Sequence, residues 1–174
     1  MAARVRNFDP AKAIETILFV AERLEDPTFH TVSKVLYFAD KEHLQRYGRL
    51  ICGDDYVAMK HGPVPSRIYD MMKFPVGRSV LPEQQANSVN EAFLVYNAYC
   101  IGPKRSADEA RLSPSEIECL LDSIRQYGNK SFDELTQLSH DQAWDSADEN
   151  DLISVEEIAR TLPNSEELLE YLRS

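Results

Sequence analysis

The sequence predicts an α+β protein, predominantly α-helical, with helices packed around a small two- or three-stranded antiparallel sheet. Three observations carry that reading. Apolar residues recur at helical spacing behind well-formed N-terminal caps, as at Asp9-Pro10 and Ser113-Pro114. Residues 54–61, DDYVAMKH, alternate instead with the two-residue period of a half-buried strand. Residues 92–102, AFLVYNAYCIG, hold the aromatic and β-branched side chains of a second strand.

Taken in order, the first helix follows Asp9-Pro10, with Ile14, Ile17, Leu18, Ala21 and Leu24 on one stripe and Pro27 as its end. The second carries Val32, Val35, Leu36, Ala39 and His43 on one face, and Gly48 is placed for a left-handed C-terminal cap. Lys34, Lys41, Glu42 and Arg46 are expected on its other faces. After the DDYVAMKH strand, GPVP reads as a proline-braced corner into a short helix with Ile68, Tyr69 and Met72. Residues 75–90 have the composition of a surface loop. A short third strand is expected around Ala110–Leu112. Ser113 with Glu116, and Ser131 with Glu134, each predict a capping box opening a helix. A segment with the only tryptophan follows, then two short acidic helices.

The 174 residues, 43% hydrophobic and 28% charged, suffice for one well-buried core. A single domain over residues 8–174 is expected, with 1–7 as an N-terminal extension. No stretch reaches the roughly 18 apolar residues of a membrane span, and the N-terminus lacks a secretory pattern, so the cytoplasm is the expected location. Cys52, Cys100 and Cys119 are widely spaced and read as free thiols. With His30, His43, His61 and His140 they form no metal-ligand pattern, and no metal or other cofactor is expected. The net charge is −10, unevenly placed: residues 1–75 hold eleven basic and ten acidic side chains, residues 76–174 eight and nineteen. An acidic surface repels phosphate backbones and attracts a basic partner.

Few residues suggest chemistry. Neighbouring strand residues point to opposite faces, so Asp54 and Asp55 cannot act jointly and are expected in turn hydrogen bonds. His61 is a candidate general base, but no nucleophile elbow accompanies it, and the strand separates it from Cys52. Pro63 and Pro65 remove amides that a phosphate nest requires. His140 and Trp144, four apart, read as a packing pair. Lys34, Lys41, Arg46 and Arg49 are interleaved with acids and read as a solvated face rather than a DNA contact. The residues alone favour an acidic, helix-rich interaction domain over an enzyme.

Four motifs, in order, carry a resemblance through nearly the whole chain from about Phe8: KVLYFAD (34–40), GDDYVAMKHGPVPSRIY (53–69), LSPSE (112–116) and SHDQAW (139–144). The chain resembles the Panacea domain family, the SocA-like antitoxins, also described as phage-associated proteins. That resemblance implies a non-catalytic antitoxin that neutralises a cognate protein toxin by binding it, and in one lineage an adaptor to a ClpXP-type protease. Some members carry an added DNA-binding domain. No such domain is expected here and hence no direct nucleic-acid contact; no membrane contact is expected either. The motif positions Gly53, Asp54, Gly62, Pro63, Pro65, Tyr69, His140 and Trp144 are expected to define the fold. Tyr56, Lys60, His61, Val64 and Arg67 are the candidate partner contacts. The competing reading is a small hydrolase using His61 with Asp54 or Asp55, which requires the three to converge.

Overall fold

The computed structural model describes residues 7–174. Helix α1 spans Pro10–Ala21, and Asp9 Oδ1 accepts the Lys12 amide at its start. It ends before Pro27, at the Glu22 cap, and the turn that follows still buries Leu24. Helix α2, Phe29–Tyr47, is capped by the Thr28 hydroxyl and closed by Gly48 at φ 74°. Its Val32–Val35–Leu36–Ala39–His43 stripe is buried. It takes part in both apolar clusters: Val35 and Leu36 pack with α1, and Tyr37 and Leu44 with the C-terminal part of the chain.

Strand β1, Tyr56–Met59, pairs antiparallel with β2, Gly62–Pro65. On its other side it meets the two-residue strand β5, Leu152–Ile153, giving the order β2-β1-β5. GPVP is therefore an edge strand rather than a corner. Ala58 shows how two prolines are accommodated. Its amide donates to Asp151 O and its carbonyl accepts from the Asn150 amide, so both groups face β5. Pro63, opposite Ala58, and Pro65, opposite Tyr56, thus sit where no amide is needed toward β1.

Helix α3, Ser66–Lys73, follows directly. The expected loop over 75–90 is only partly a loop. A 3₁₀ turn, Phe74–Val76, leads through Gly77 (φ 71°) to helix α4, Glu83–Ala92. That helix is mostly polar, and only Val89 and Ala92 are buried, so its pattern gives almost no apolar stripe. Residues 92–102 are not one strand but a hairpin, β3 (Phe93–Tyr96) with β4 (Cys100–Pro103). Asn97 and Ala98 turn it at φ 50° and 68°. The third strand expected near Ala110 is a 3₁₀ turn, Glu109–Arg111, capped by Asp108.

Helices α5 (Pro114–Tyr127) and α6 (Phe132–Ser139) both open with the expected capping boxes. Helix α6 stops at His140, and Asp141 caps the short α7, Gln142–Asp145. Helices α8 (Val155–Arg160) and α9 (Ser165–Arg173) complete the chain. The fold is α+β and mainly helical. The three cysteines are free and buried. Among the described residues no helix is long and apolar enough to cross a membrane.

Candidate functional site: a basic cleft beside the β1–β2 hairpin

Side chains from the sequence motifs clamp the β1–β2 hairpin from every side. Lys34 of α2 donates from Nζ to Pro63 O at 2.9 Å, using the carbonyl on the outer edge of β2. The Trp144 indole donates to Met59 O at 2.8 Å. The Tyr56 hydroxyl donates to Asp40 Oδ2 at 2.7 Å, and the Ile51 amide to Asp40 Oδ1 at 2.7 Å. Burial nevertheless raises the Asp40 pKa to about 6. Asp54 accepts the Asp55, Arg67 and Ile68 amides and so caps α3 across the hairpin. Gly62 adopts φ 116°, and a Cβ there would meet Ser139 Oγ and, at 2.8 Å, Lys34 Cε. Only glycine lets α2, α6 and the turn approach this closely.

Next to this clamp lies a cleft of about 510 Å³ between α2, the hairpin turn, α6 and the β3–β4 turn. Phe29, Met59, Val64, Tyr69, Tyr99 and Phe132 give it apolar walls. Tyr99 and Phe132 stand at its mouth, 54% and 48% exposed. Besides the phenols of Tyr69 and Tyr99, its ionisable lining is basic: His30, Lys34, Lys60, His61 and Arg78, with no carboxylate. In a chain of net charge −10 that segregation is notable.

Lys34 is the unusual member. It is 1% exposed, and among the described residues no carboxylate lies within ion-pair distance of it. Burial pushes its pKa down to about 7. His30 donates to or accepts from Thr136 Oγ1 through Nε2 at 3.1 Å, and its ring stacks on Phe132 at 3.9 Å. Its Nδ1 is buried, and the ring has a backbone contact with His61. Burial first, then repulsion from Lys34 and His61, lowers its pKa to about 4. His140 stacks face to face on Trp144 at 3.8 Å, as the packing reading expects. Burial, and repulsion from Lys34 and His61, lower its pKa as well.

The sequence-based contact candidates separate. Lys60, His61 and Val64 line the cleft, as does Tyr69. Arg67 faces a different depression with Phe8, Asp55 and Asp70, where it already lies 3.7 Å from Asp55. Tyr56 is not a surface contact: it is 1% exposed and bonded to Asp40. Strand alternation explains this, since Tyr56 and Ala58 face inward while Val57 and Met59 are half-exposed. Lys34 is likewise not on a solvated face, and Arg49 is drawn into an ion pair with buried Glu116 at 2.7 Å. The hydrolase constellation does not form. Asp54 is buried against backbone amides, Asp55 turns toward Arg67, and His61 rests edge-on against Phe132. Sequence reasoning missed Lys34, His30, Tyr99, Phe132 and Arg78 as cleft residues. For Lys34 the signal was present: it shares one helical turn with Val35 and Leu36 and leads the KVLYFAD motif.

Fold and site thus define a mainly helical α+β protein that presents a basic, aromatic-walled cleft. The family model described as antitoxin SocA-like, Panacea domain, matches residues 32–145, from inside α2 to Asp145 at the end of α7. The chain belongs to that family. No curated protein and no solved structure matches it.

Proposed function

We propose that this protein is the antitoxin of a toxin–antitoxin pair, acting in the cytoplasm by binding a cognate protein toxin directly and without catalysis. The observation that carries the reading is membership of the SocA-like antitoxin family over residues 32–145. The geometry supports a binding role. The acid that first suggests chemistry, Asp54, is occupied in holding the hairpin, as is Tyr56. Of the residues left at the surface, Tyr99 and Phe132 are of the aromatic kind enriched at recognition surfaces, and Lys60 and His61 stand exposed beside them.

Co-expression with the neighbouring open reading frame tests this. The neighbour alone is expected to arrest growth, and this chain to restore it. His61→Ala is expected to retain that protection, because no proton transfer is required of the imidazole. A harmless neighbour, or arrest that persists beside this chain, contradicts the reading.

A further inference from the structure

The cleft beside the hairpin has three properties that together specify what enters it. Its walls are aromatic and aliphatic, with Tyr99 and Phe132 exposed at the mouth. Besides the Thr28, Ser33 and tyrosine hydroxyls its polar lining is basic, with no carboxylate among the residues that form it. At its inner wall stands Lys34, nearly fully buried and donating to the Pro63 carbonyl, with no ion-pair partner among the described residues. A buried ammonium without a counter-ion is costly, and a cavity of this size and lining is suited to supply one.

We infer that the cleft is the docking pocket for a carboxylate-bearing apolar segment of the toxin, with the carboxylate seated against Lys34 and the adjoining side chains between Tyr99 and Phe132. This rests on the antitoxin reading and names the chemistry of its contact. The occupant is argued from charge complementarity: Lys34, Lys60 and Arg78 line the cleft with no carboxylate among its residues, in a protein whose net charge is −10. An acidic side chain or a C-terminal carboxylate flanked by Leu, Phe or Met answers each wall.

The groups facing Lys34 all act in one direction. His30 lies one turn earlier on α2, Lys60 and His61 form the hairpin turn, His140 ends α6, and Arg78 stands across the opening. Asp141, beside His140, is engaged by Tyr37 at 2.7 Å and Lys41 at 2.9 Å, further along the same face of α2, and is not part of the cleft lining. An incoming carboxylate therefore meets no carboxylate among the residues that line the cleft and favours protonation of Lys34 and His30. Binding is expected to take up protons and to strengthen as pH falls from 8 to 6.

The test uses the full chain. Lys34 13Cε and the histidine ring signals are followed by NMR during titration with 3-phenylpropionate, with 3-phenylpropionamide and inorganic phosphate as controls. Saturable binding of the carboxylate, a raised Lys34 titration midpoint, and at least about tenfold weaker binding by the amide and by Lys34→Met are the expected results. Equal binding of acid and amide, an equal response to phosphate alone, no response, or undiminished binding by Lys34→Met overturns the inference. So does sedimentation showing that the cleft is closed by a second copy of this chain. A parallel growth assay with the neighbouring reading frame separates the two claims. If the wild type fails to protect, the antitoxin reading falls and the titration still decides the cleft. If the wild type and Lys34→Met protect equally, only the pocket assignment falls.

Discussion

Replacing Lys34 by methionine keeps the length of the side chain and removes its charge, so it isolates the cost of burying that charge. The ammonium is 1% exposed, and its pKa falls from 10.5 to about 7. Because this base is depressed on folding, the unfolded chain holds the proton up to about pH 10.5 while the folded chain releases it near 7. Below pH 7 the folded protein carries the full penalty, about 5 kcal/mol for the roughly 3.5-unit shift. Between pH 7 and 10.5 the wild type recovers about 1.4 kcal/mol per pH unit. Methionine carries no such penalty but leaves the Pro63 carbonyl without its donor, a loss of about 1.5–3 kcal/mol for a charged hydrogen bond. Lys34→Met is therefore expected to be more stable than the wild type by about 2–3 kcal/mol at pH 6. The difference should shrink by roughly 2 kcal/mol on going from pH 7 to 9. Urea denaturation of both proteins at pH 6, 7, 8 and 9 measures it directly. A variant that is strongly destabilised at pH 6, or a difference that does not change with pH, refutes the reasoning: Lys34 would then be a structural strut and not a charge held for a partner.

Four further outcomes are expected. Trp144→Phe removes the indole donor to Met59 O and should lower stability by about 1–3 kcal/mol, read in denaturant. Gly62→Ala places a Cβ at φ 116° against Lys34 and Ser139 and should cost about 1–3 kcal/mol from backbone strain alone, lowering the thermal midpoint. Glu116 is buried between Lys12 at 2.9 Å and Arg49 at 2.7 Å, and its pKa is lowered to about 2. Its stabilisation is full above pH 4.5 and is lost as pH falls through about 2, so Glu116→Gln should cost about 3 kcal/mol at pH 7 and almost nothing at pH 2. Lys60→Glu, at an exposed turn position, should leave stability within about 0.5 kcal/mol yet abolish protection in the growth assay.

How legible each element was depended on whether its signal was local. The caps at Asp9, Ser113 and Ser131 and the left-handed Gly48 are short-range chemistry, and each formed as the residues predict. Asp54 was read as a turn acid; it accepts the adjacent Asp55 amide and, across the hairpin, those of Arg67 and Ile68. Helix α4 was hidden because its burial is limited to Val89 and Ala92, so no stripe marks it. The β3–β4 turn was hidden because it rests on Asn97 and Ala98 rather than on an Asn-Gly pair. GPVP was misplaced for a different reason. Prolines two apart can both turn their missing amides away from one neighbour, and only the β1 register shows that they do. The lining of the cleft was partly legible. Lys60, His61 and Val64, named as candidate contacts from the family motif, line it. Lys34, His30, Tyr99 and Phe132 come from three distant segments, and their convergence depends on tertiary packing that no periodicity encodes.

The most direct test of the central claim is a binding measurement between the purified chain and the product of its neighbouring reading frame, by calorimetry at pH 6, 7 and 8 in two buffers of different ionisation enthalpy. The account predicts a defined stoichiometric complex, net proton uptake near neutrality, tighter binding at pH 6 than at pH 8, and at least about tenfold weaker binding for Lys34→Met. Absence of a complex contradicts the antitoxin reading. A tight complex with no proton uptake that Lys34→Met leaves unchanged contradicts the cleft as its contact.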